Sequence, residues 1–145
     1  MQKCRIIVDT NLWVSLLIGK RLSEVHSLCT SNTIDVYICN ELKEEFIRIA
    51  TEEKIRKYAT DERLMQTLEL MKASCISYNI GKVAVSYGLR DVNDLYLLSL
   101  ADTVKADFIL TGDKDLLSLQ SHNQTKIVTY KEFTAIGNER KPIIH

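Results

Sequence analysis

Residues 4–17 read CRIIVDTNLWVSLL, in which a short apolar run ends at Asp9 and a second apolar stretch begins three residues later. The run 4–8 has the length and the continuous apolar character of a strand that is buried on both faces. Residues 12–18 have the spacing of a helix that packs back on this strand, and Gly19 ends it. The stretch therefore predicts a strand followed by a helix, with a carboxylate at the junction.

The same alternation continues along the chain. Further apolar strands are predicted at 34–38, 108–110 and 127–128. The predicted helices span residues 21–30, 40–50, 60–75, 92–104, 115–119 and 131–135. Strands that alternate with helices predict an α/β fold, a three-layer sandwich with a central, mainly parallel sheet flanked by helices.

Two segments carry more specific expectations. In the helix 60–75, the apolar spacing predicts a buried side formed by Leu64, Met65, Leu68 and Met71. The segment 77–90 contains two glycines and shows no clear period, so we expect it to be mostly irregular.

The composition indicates one domain, residues 1–145, with a core at about 4–135. No apolar run reaches the ~20 residues of a membrane span, and the N-terminus lacks the apolar segment of a signal peptide. We therefore expect a cytoplasmic protein without membrane contact. Nineteen basic and nineteen acidic residues cancel, so any role with nucleic acid has to rest on a local site.

Several functions are disfavoured by the motifs. The cysteines and histidines lack metal-ligand spacing, which argues against zinc and against a disulfide framework. A phosphatase that forms an aspartyl phosphate would need Asp-x-Asp after the first strand, where this chain has Asp9, Thr10 and Asn11. The sequence also lacks the G-x-x-x-x-G-K motif of a nucleotide-binding P-loop.

Acidic side chains follow two of the predicted strands. Asp9 ends the first strand, and Asp113 comes after the strand 108–110, where Gly112 allows a tight turn. Ligands of open parallel sheets bind beyond the carboxyl ends of the strands. The alternative for Asp9 is structural, because aspartate often caps a helix that follows a strand.

Helical periodicity adds two acids to this edge. In the helix 92–104, Asp94 lies on the first turn, within roughly 50° of the centre of the predicted buried stripe. Its alternative role is a favourable interaction with the helix dipole. In the helix 40–50, Glu45 borders the predicted core, whereas Glu44 points to solvent with Arg48 as its i,i+4 partner.

Four acids at one sheet edge would repel one another unless a cation neutralised them. A set of carboxylate oxygens without His or Cys favours Mg²⁺ or Mn²⁺. The sequence therefore predicts a divalent-metal site formed by Asp9, Glu45, Asp94 and Asp113.

The segments IIVDTNLWVSLL, ICNELKEEF, DVNDLYLLSLA and LTGDKDLL, in this order, resemble the four acidic motifs of the PIN-domain ribonucleases. The resemblance runs from Arg5 to about Phe133 and is closest to small bacterial and archaeal PIN proteins regarded as toxins of toxin–antitoxin pairs. It implies a metal-dependent site for cleaving single-stranded RNA, and its acidic quartet falls on the same four residues. Asn11, with Thr10 beside it, matches a polar group that orients Asp9, and Asp115 matches a further acid beside the fourth.

The resemblance implies hydrolysis that leaves 5′-phosphate and 3′-hydroxyl ends, and an antitoxin protein as a partner. Whether the chain forms a homodimer is left open, as is the alternative of a non-catalytic PIN-like module that binds RNA or protein. Basic residues near the predicted site are candidates for RNA contacts, although a solvated helix face is the favoured explanation for most of them: Lys43, Arg48, Lys54, Arg56 and Lys57.

Overall fold

The computed structural model describes residues 3–19, 21–80 and 92–140, without the side chains of Leu22, 92–94 and 137–140. Its strands are β1 (Cys4–Val8), β2 (Ile34–Ile38), β3 (Ile76–Ser77), β4 (Phe108–Leu110), β5 (Ser121–His122) and β6 (Thr125–Val128). Its helices are α1 (Thr10–Ile18), α2 (Leu22–Thr30), α3 (Asn40–Ala50), α4 (Glu53–Arg56), α5 (Asp61–Ser74), α6 (Val92–Val104), α7 (Lys114–Ser118) and α8 (Tyr130–Arg140).

The strands form one sheet in the order β3-β2-β1-β4-β6-β5, with helices on its flanks. All neighbouring strands are parallel except β5 and β6. The central strand β1 places Ile6 opposite Val36 on one side and Phe108 on the other. The predicted α/β fold with a mainly parallel sheet is therefore confirmed. Within the described ranges, no helix is long and apolar enough to cross a membrane.

Several apolar runs gave accurate element boundaries, and three short elements were missed. Strands β1, β2 and β4 and helices α3 and α6 have the predicted ends. Helix α4 and strand β5 were not predicted. Strand β3 was not recognised either, because its Ser77 was assigned to a mostly irregular segment, of which residues 81–90 lie outside the described part. Both short strands lie at the edges of the sheet and depend on pairing with β2 or β6, not on an apolar pattern of their own.

Helix α5 begins as predicted, but its buried side differs. The side chain of Thr60 accepts a hydrogen bond from the backbone of Arg63 at 3.2 Å and so caps the helix. Met65, which was predicted to be buried, is 56% exposed, and Thr67 is buried in its place. Because Thr67 donates its hydroxyl to the carbonyl of Arg63, the polar group is satisfied inside the helix.

Helix α6 is buried around its whole circumference over residues 95–101. Every residue from 95 to 101 is buried, including Ser99 on the side opposite the predicted stripe. A helix buried on all sides has no single core direction. The predicted angle of Asp94 from a buried stripe therefore does not distinguish a ligand from a helix-terminus acid.

Candidate functional site

The carboxyl ends of β1 and β4 lie side by side and each leads into an acidic residue. Asp9 follows β1, and its backbone N–H donates to the carbonyl of Leu110 at the end of β4 at 2.9 Å. Asp113 comes three residues after Leu110, at the start of α7. The two acids therefore share the edge at which parallel sheets usually bind their ligands.

Asp9 occupies the N-cap position of α1, but its side chain does not cap the helix by hydrogen bonding. The carboxylate is 3% exposed and accepts a hydrogen bond from the hydroxyl of Thr111, with Oγ1 and Oδ2 2.8 Å apart. A helix cap is valuable because it satisfies a free backbone N–H with a side-chain hydrogen bond. A hydrogen-bonded helix cap therefore does not explain the buried carboxylate at this junction.

The charge of Asp9 is poorly compensated. Burial raises the pKa of this carboxyl above its ordinary value, and the nearby charge of Asp113 raises it further. The Thr111 hydroxyl and the backbone N–H groups of Thr10 and Asn11 oppose the rise. Among the described side chains, no Lys, Arg or His forms an ion pair with Asp9 or Asp113.

Thr111 connects the two acids. Its side chain is 1% exposed, and its hydroxyl donates to Asp9 while accepting a 2.9 Å hydrogen bond from the backbone N–H of Asp113. The sequence analysis assigned no role to this residue. The available signal was its position directly between a buried strand and the Gly112-Asp113 turn.

Asp113 has a structural role as well as a place in the site. Its carboxylate accepts a 2.8 Å hydrogen bond from the backbone N–H of Asp115, which caps α7. Asp113 is half-buried and Asp115 is exposed. One oxygen of Asp113 is therefore occupied by the cap, and the carboxylate retains further lone pairs for a ligand.

Tyr96 is a second residue that the sequence analysis missed. Its hydroxyl lies 2.7 Å from Oγ1 of Thr10, and both side chains are buried. Burial raises the pKa of Tyr96, the Thr10 hydroxyl lowers it, and the charges of Asp9 and Glu45 raise it further. The phenol of Tyr96 is therefore a neutral hydrogen-bonding group within electrostatic reach of both acids.

The first turn of α6 belongs to the same edge. Because α6 leads into β4, which runs parallel to β1, the helix must begin near the carboxyl ends of the strands. The contact of Tyr96 with Thr10 agrees with this direction. Asp94 lies two residues before Tyr96 on this turn, and its side chain is outside the described part of the chain.

Glu45 is half-buried, and the structure corrects the predicted ion pair on α3. Arg48 binds Glu45 through two nitrogens, with contacts of 2.6 and 3.2 Å, and also reaches Glu52 at 3.5 Å. The prediction that Arg48 pairs with exposed Glu44 is wrong, because the i,i+3 contact with Glu45 and the i,i+4 contact with Glu52 use its guanidinium instead.

The predicted RNA contacts differ in position and pairing. Lys43 lies on the first turn of α3, close to the site edge. Lys54, Arg56 and Lys57 follow the far end of α3, which is about 16 Å long at 1.5 Å per residue. Lys54 pairs with Glu52 at 3.6 Å and Arg56 with Asp61 at 2.7 Å. Their place in the fold therefore favours Lys43 over these three residues as an RNA contact.

The described side chains provide part of a metal site. No group of three His, Cys, Asp or Glu residues within the described part is arranged to hold a metal ion. The carboxylate of Asp9 beside Asp113 nevertheless fits a hard divalent cation, since such an ion would stabilise a charge whose pKa is raised by burial and further by repulsion from Asp113. A further carboxylate is needed to complete the site, and Asp94 and Glu45 are the candidates.

Replacing Thr111 with valine is expected to disturb both acids. The change leaves a buried carboxylate oxygen and a backbone N–H without their partner, so we expect the free energy of unfolding to fall by about 1–3 kcal/mol. If the carboxylates hold a metal, RNA cleavage should fall by about 10–100-fold in addition. Chemical denaturation and single-turnover cleavage measure the two effects.

Thr125→Val is the matched control for this substitution. Thr125 is also 1% exposed, and its hydroxyl donates to the carbonyl of Ala106 at 2.7 Å, away from Asp9 and Asp113. We expect a similar loss of stability with unchanged cleavage. Equal losses of cleavage in both variants would show that Thr111 acts only through stability.

A model of the PIN domain family matches residues 5–115, which include β1, β4 and the four candidate acids. The chain is also 30% identical over 142 aligned positions to an uncharacterized protein of Methanocaldococcus jannaschii, and the match covers 90% of each chain. PIN domains are nuclease-like, and many of them are metal-dependent ribonucleases.

Proposed function

This chain belongs to the PIN domain family, and we propose that it is an Mg²⁺- or Mn²⁺-dependent endoribonuclease that cleaves single-stranded RNA. The observation that carries the proposal is the buried carboxylate of Asp9 beside Asp113, without a cationic partner among the described residues. A buried charge of this kind is costly for folding, so its presence at a ligand-binding edge suggests a function.

Each acid has a separate part in the proposed site. Asp9 and Asp113 are held by Thr111 and would be direct ligands of the ion. Asp94 would supply a further ligand from the first turn of α6, and Glu45 would complete the site once its carboxylate leaves Arg48 or through a water. The chemistry that a divalent ion supplies at such a site is polarisation of the phosphodiester and a lowered pKa of a nucleophilic water.

Tyr96 and Thr10 would support the site without binding the ion. The hydroxyl of Tyr96 on α6 forms a hydrogen bond with the hydroxyl of Thr10 on α1 and so links the two helices beside Asp9. Attack of water on phosphorus breaks the bond to the 3′-oxygen, which leaves with a proton. The products are a 5′-phosphate and a 3′-hydroxyl, the ends that the resemblance to the family implies.

We also propose that the protein is the toxin of a toxin–antitoxin pair. The support for this role is the resemblance to PIN toxins together with an uncompensated acidic edge, which an antitoxin could cover with Arg or Lys side chains. Purification of the chain with the product of a small neighbouring gene would test this role. Isolation of the chain alone from cells that express both proteins would contradict it.

A non-catalytic PIN-like module is the second candidate function. It is favoured by the ion pair that occupies Glu45 and by the lack of a three-residue ligand group among the described side chains. The two functions are distinguished by incubating an unstructured RNA oligonucleotide with the protein and Mn²⁺. An enzyme shortens the RNA, whereas the module retains it intact in a shifted complex.

In the same assay, we expect Glu45→Gln to lower cleavage by about 10–100-fold. Losses of this size are typical when a metalloprotein loses a residue that assists its metal ligands. Glu44→Gln is the matched control, because Glu44 is exposed and adjacent, and it should cleave like the wild type. Arg48→Gln separates a role of Glu45 in the site from a role in the ion pair.

We expect Arg48→Gln to keep its activity or gain some, because it frees the carboxylate of Glu45. If Arg48→Gln loses as much cleavage as Glu45→Gln, the ion pair and not the free carboxylate matters. If Glu44→Gln is the inactive variant, the assignment of Glu45 is wrong.

A further inference from the structure

A groove of about 550 Å³ lies at the amino ends of β1 and β4, at the edge of the sheet opposite Asp9. Strand β1 separates the two edges and is about 16 Å long at 3.3 Å per residue. The groove is therefore distinct from the candidate metal site. Its charged lining residues are Lys3, Arg5, Lys105, Asp107 and Lys126.

The groove concentrates positive charge in a chain whose net charge is zero. It contains four cations and one carboxylate. That carboxylate, Asp107, accepts a 2.9 Å hydrogen bond from the backbone N–H of Arg5, and it forms no ion pair with any described side chain. The positive charge of the groove is therefore only partly compensated.

The individual cations show the same imbalance. The guanidinium of Arg5 is partly buried and donates to the carbonyl of Val104 at 2.7 Å, a neutral partner that fixes its position without neutralising it. Lys3 has Asp35 at 3.6 Å. Lys105 and Lys126 are exposed and, among the described residues, have no ion-pair partner.

Lys105 stands where glycine would be more favourable. It follows the last residue of α6 with φ of 54°, in the left-handed region that side chains disfavour. The backbone N–H of Ala106 donates to the carbonyl of Ala101 at 2.9 Å, as in the common helix ending that uses glycine at this position. The lysine therefore keeps a charge in the groove at a position where a glycine would be more stable.

The number and position of the cations indicate the kind of ligand. Arg5 and Lys126 lie on strands that are separated by β4, so two strand spacings of about 4.8 Å place their backbones about 10 Å apart. Their side chains also leave opposite faces of the sheet, because Lys126 is in register with Ile6 and not with Arg5. Cations that are spread in this way suit two or more phosphates better than one. The aromatic residue of the lining, Phe108, is 4% exposed and offers no face on which a base could stack.

We propose that this groove binds adjacent phosphates of a phosphate chain, without recognition of the bases. Such phosphates occur in the backbone of a single nucleic-acid strand and in a nucleoside triphosphate. The site does not depend on the proposed ribonuclease activity, since it lies at the other edge of the sheet and uses none of the four candidate acids.

The test measures binding of a fluorescent oligothymidylate to the full chain by anisotropy, in EDTA so that neither metal nor cleavage contributes. For the wild type, a plot of the logarithm of the binding constant against the logarithm of the salt concentration should have a slope of about −1.4 or steeper. This salt slope corresponds to two contacted phosphates at about −0.7 per phosphate of a single strand. Lys126→Glu should weaken binding at least about tenfold. Lys131→Glu, an exposed lysine on α8 outside the groove, is the control and should leave binding unchanged.

Lys105→Gly separates binding from folding. It should flatten the salt slope by about 0.7. It should also raise the melting temperature by about 3 °C, because glycine accepts this backbone conformation without strain. Groove variants that bind like the wild type, or a Lys131→Glu variant that loses as much affinity as Lys126→Glu, would overturn the proposal.

Competition experiments distinguish the sources of the phosphates. Displacement of the labelled strand by a nucleoside triphosphate, and not by equimolar inorganic phosphate, supports a nucleotide ligand. Displacement only by unlabelled oligothymidylate supports a strand. If inorganic phosphate or a polyglutamate peptide competes as well as the triphosphate, the groove is a general anion site and the proposal is wrong.

Discussion

Asp9→Asn is expected to lower the single-turnover rate of RNA cleavage by about 1,000-fold, because a lost metal ligand removes several kcal/mol of charge stabilisation. The protein should still fold. The hydroxyl of Thr111 can donate to the amide oxygen of the new side chain while it keeps its bond to the backbone of Asp113. In EDTA the variant should be at least as stable as the wild type, because a buried charge is removed.

Asp35→Asn provides the matched control. Asp35 lies in β2 next to β1, and its partner is Lys3 at the opposite edge of the sheet. Its replacement should leave cleavage unchanged. Cleavage by Asp9→Asn within a few-fold of the wild type would remove Asp9 from the site.

Asp94→Asn is expected to produce a loss of cleavage of similar size, about 1,000-fold, if its carboxylate completes the metal site. Metal-free stability should stay constant or rise, because a neutral side chain relieves repulsion from Asp9 and Asp113. If Asp94 only interacts with the dipole of α6, the free energy of unfolding should fall by about 0.3–1 kcal/mol and cleavage should be unaffected. Denaturation in EDTA and cleavage in Mn²⁺ therefore distinguish the two roles.

Glu62→Gln calibrates the dipole effect. Glu62 lies on the first turn of α5, is exposed, and is outside the candidate site. Its replacement measures the cost of losing an acid at a helix N-terminus in this protein. An Asp94→Asn variant that matches Glu62→Gln in stability and still cleaves RNA would contradict the assignment of Asp94.

The fold could be predicted from its apolar runs, because buried strands and long helices carry their own pattern. Strands β1 and β2 follow directly from the runs 4–8 and 34–38. The edge strands β3 and β5 have two residues each and exist because neighbouring strands offer free hydrogen-bonding groups. The sequence of a two-residue strand does not show whether a neighbouring strand has free hydrogen-bonding groups.

Side-chain direction was harder to predict where burial is unusual. The helical wheel of α3 correctly gave an exposed Glu44 and a half-buried Glu45, because this helix has one buried side. It failed for the partner of Arg48, since spacing alone cannot choose between contacts at i−3, i−4 and i+4. The helical wheel was also uninformative for α6, because residues 95–101 of this helix are buried on all sides.

The candidate site was only partly predictable for a related reason. Acids at strand ends can be located from the order of strands and helices, and Asp9 and Asp113 do come together. Thr111 and Tyr96 were missed because a threonine or tyrosine in an apolar segment is typical of ordinary core packing. Their roles depend on contacts with residues 102 and 86 positions away in the chain, which only the folded structure provides.

The most direct test of a metal-dependent ribonuclease is cleavage of one 5′-labelled, unstructured RNA by a single preparation, first in EDTA and then after addition of excess Mn²⁺. We predict no cleavage in EDTA, recovery with Mn²⁺, and products that carry 5′-phosphate and 3′-hydroxyl ends. The Asp9→Asn variant, purified and assayed in the same way, should show no comparable cleavage in either condition. Cleavage that persists in EDTA, or products that end in 2′,3′-cyclic phosphates, would contradict catalysis by a metal ion at these carboxylates.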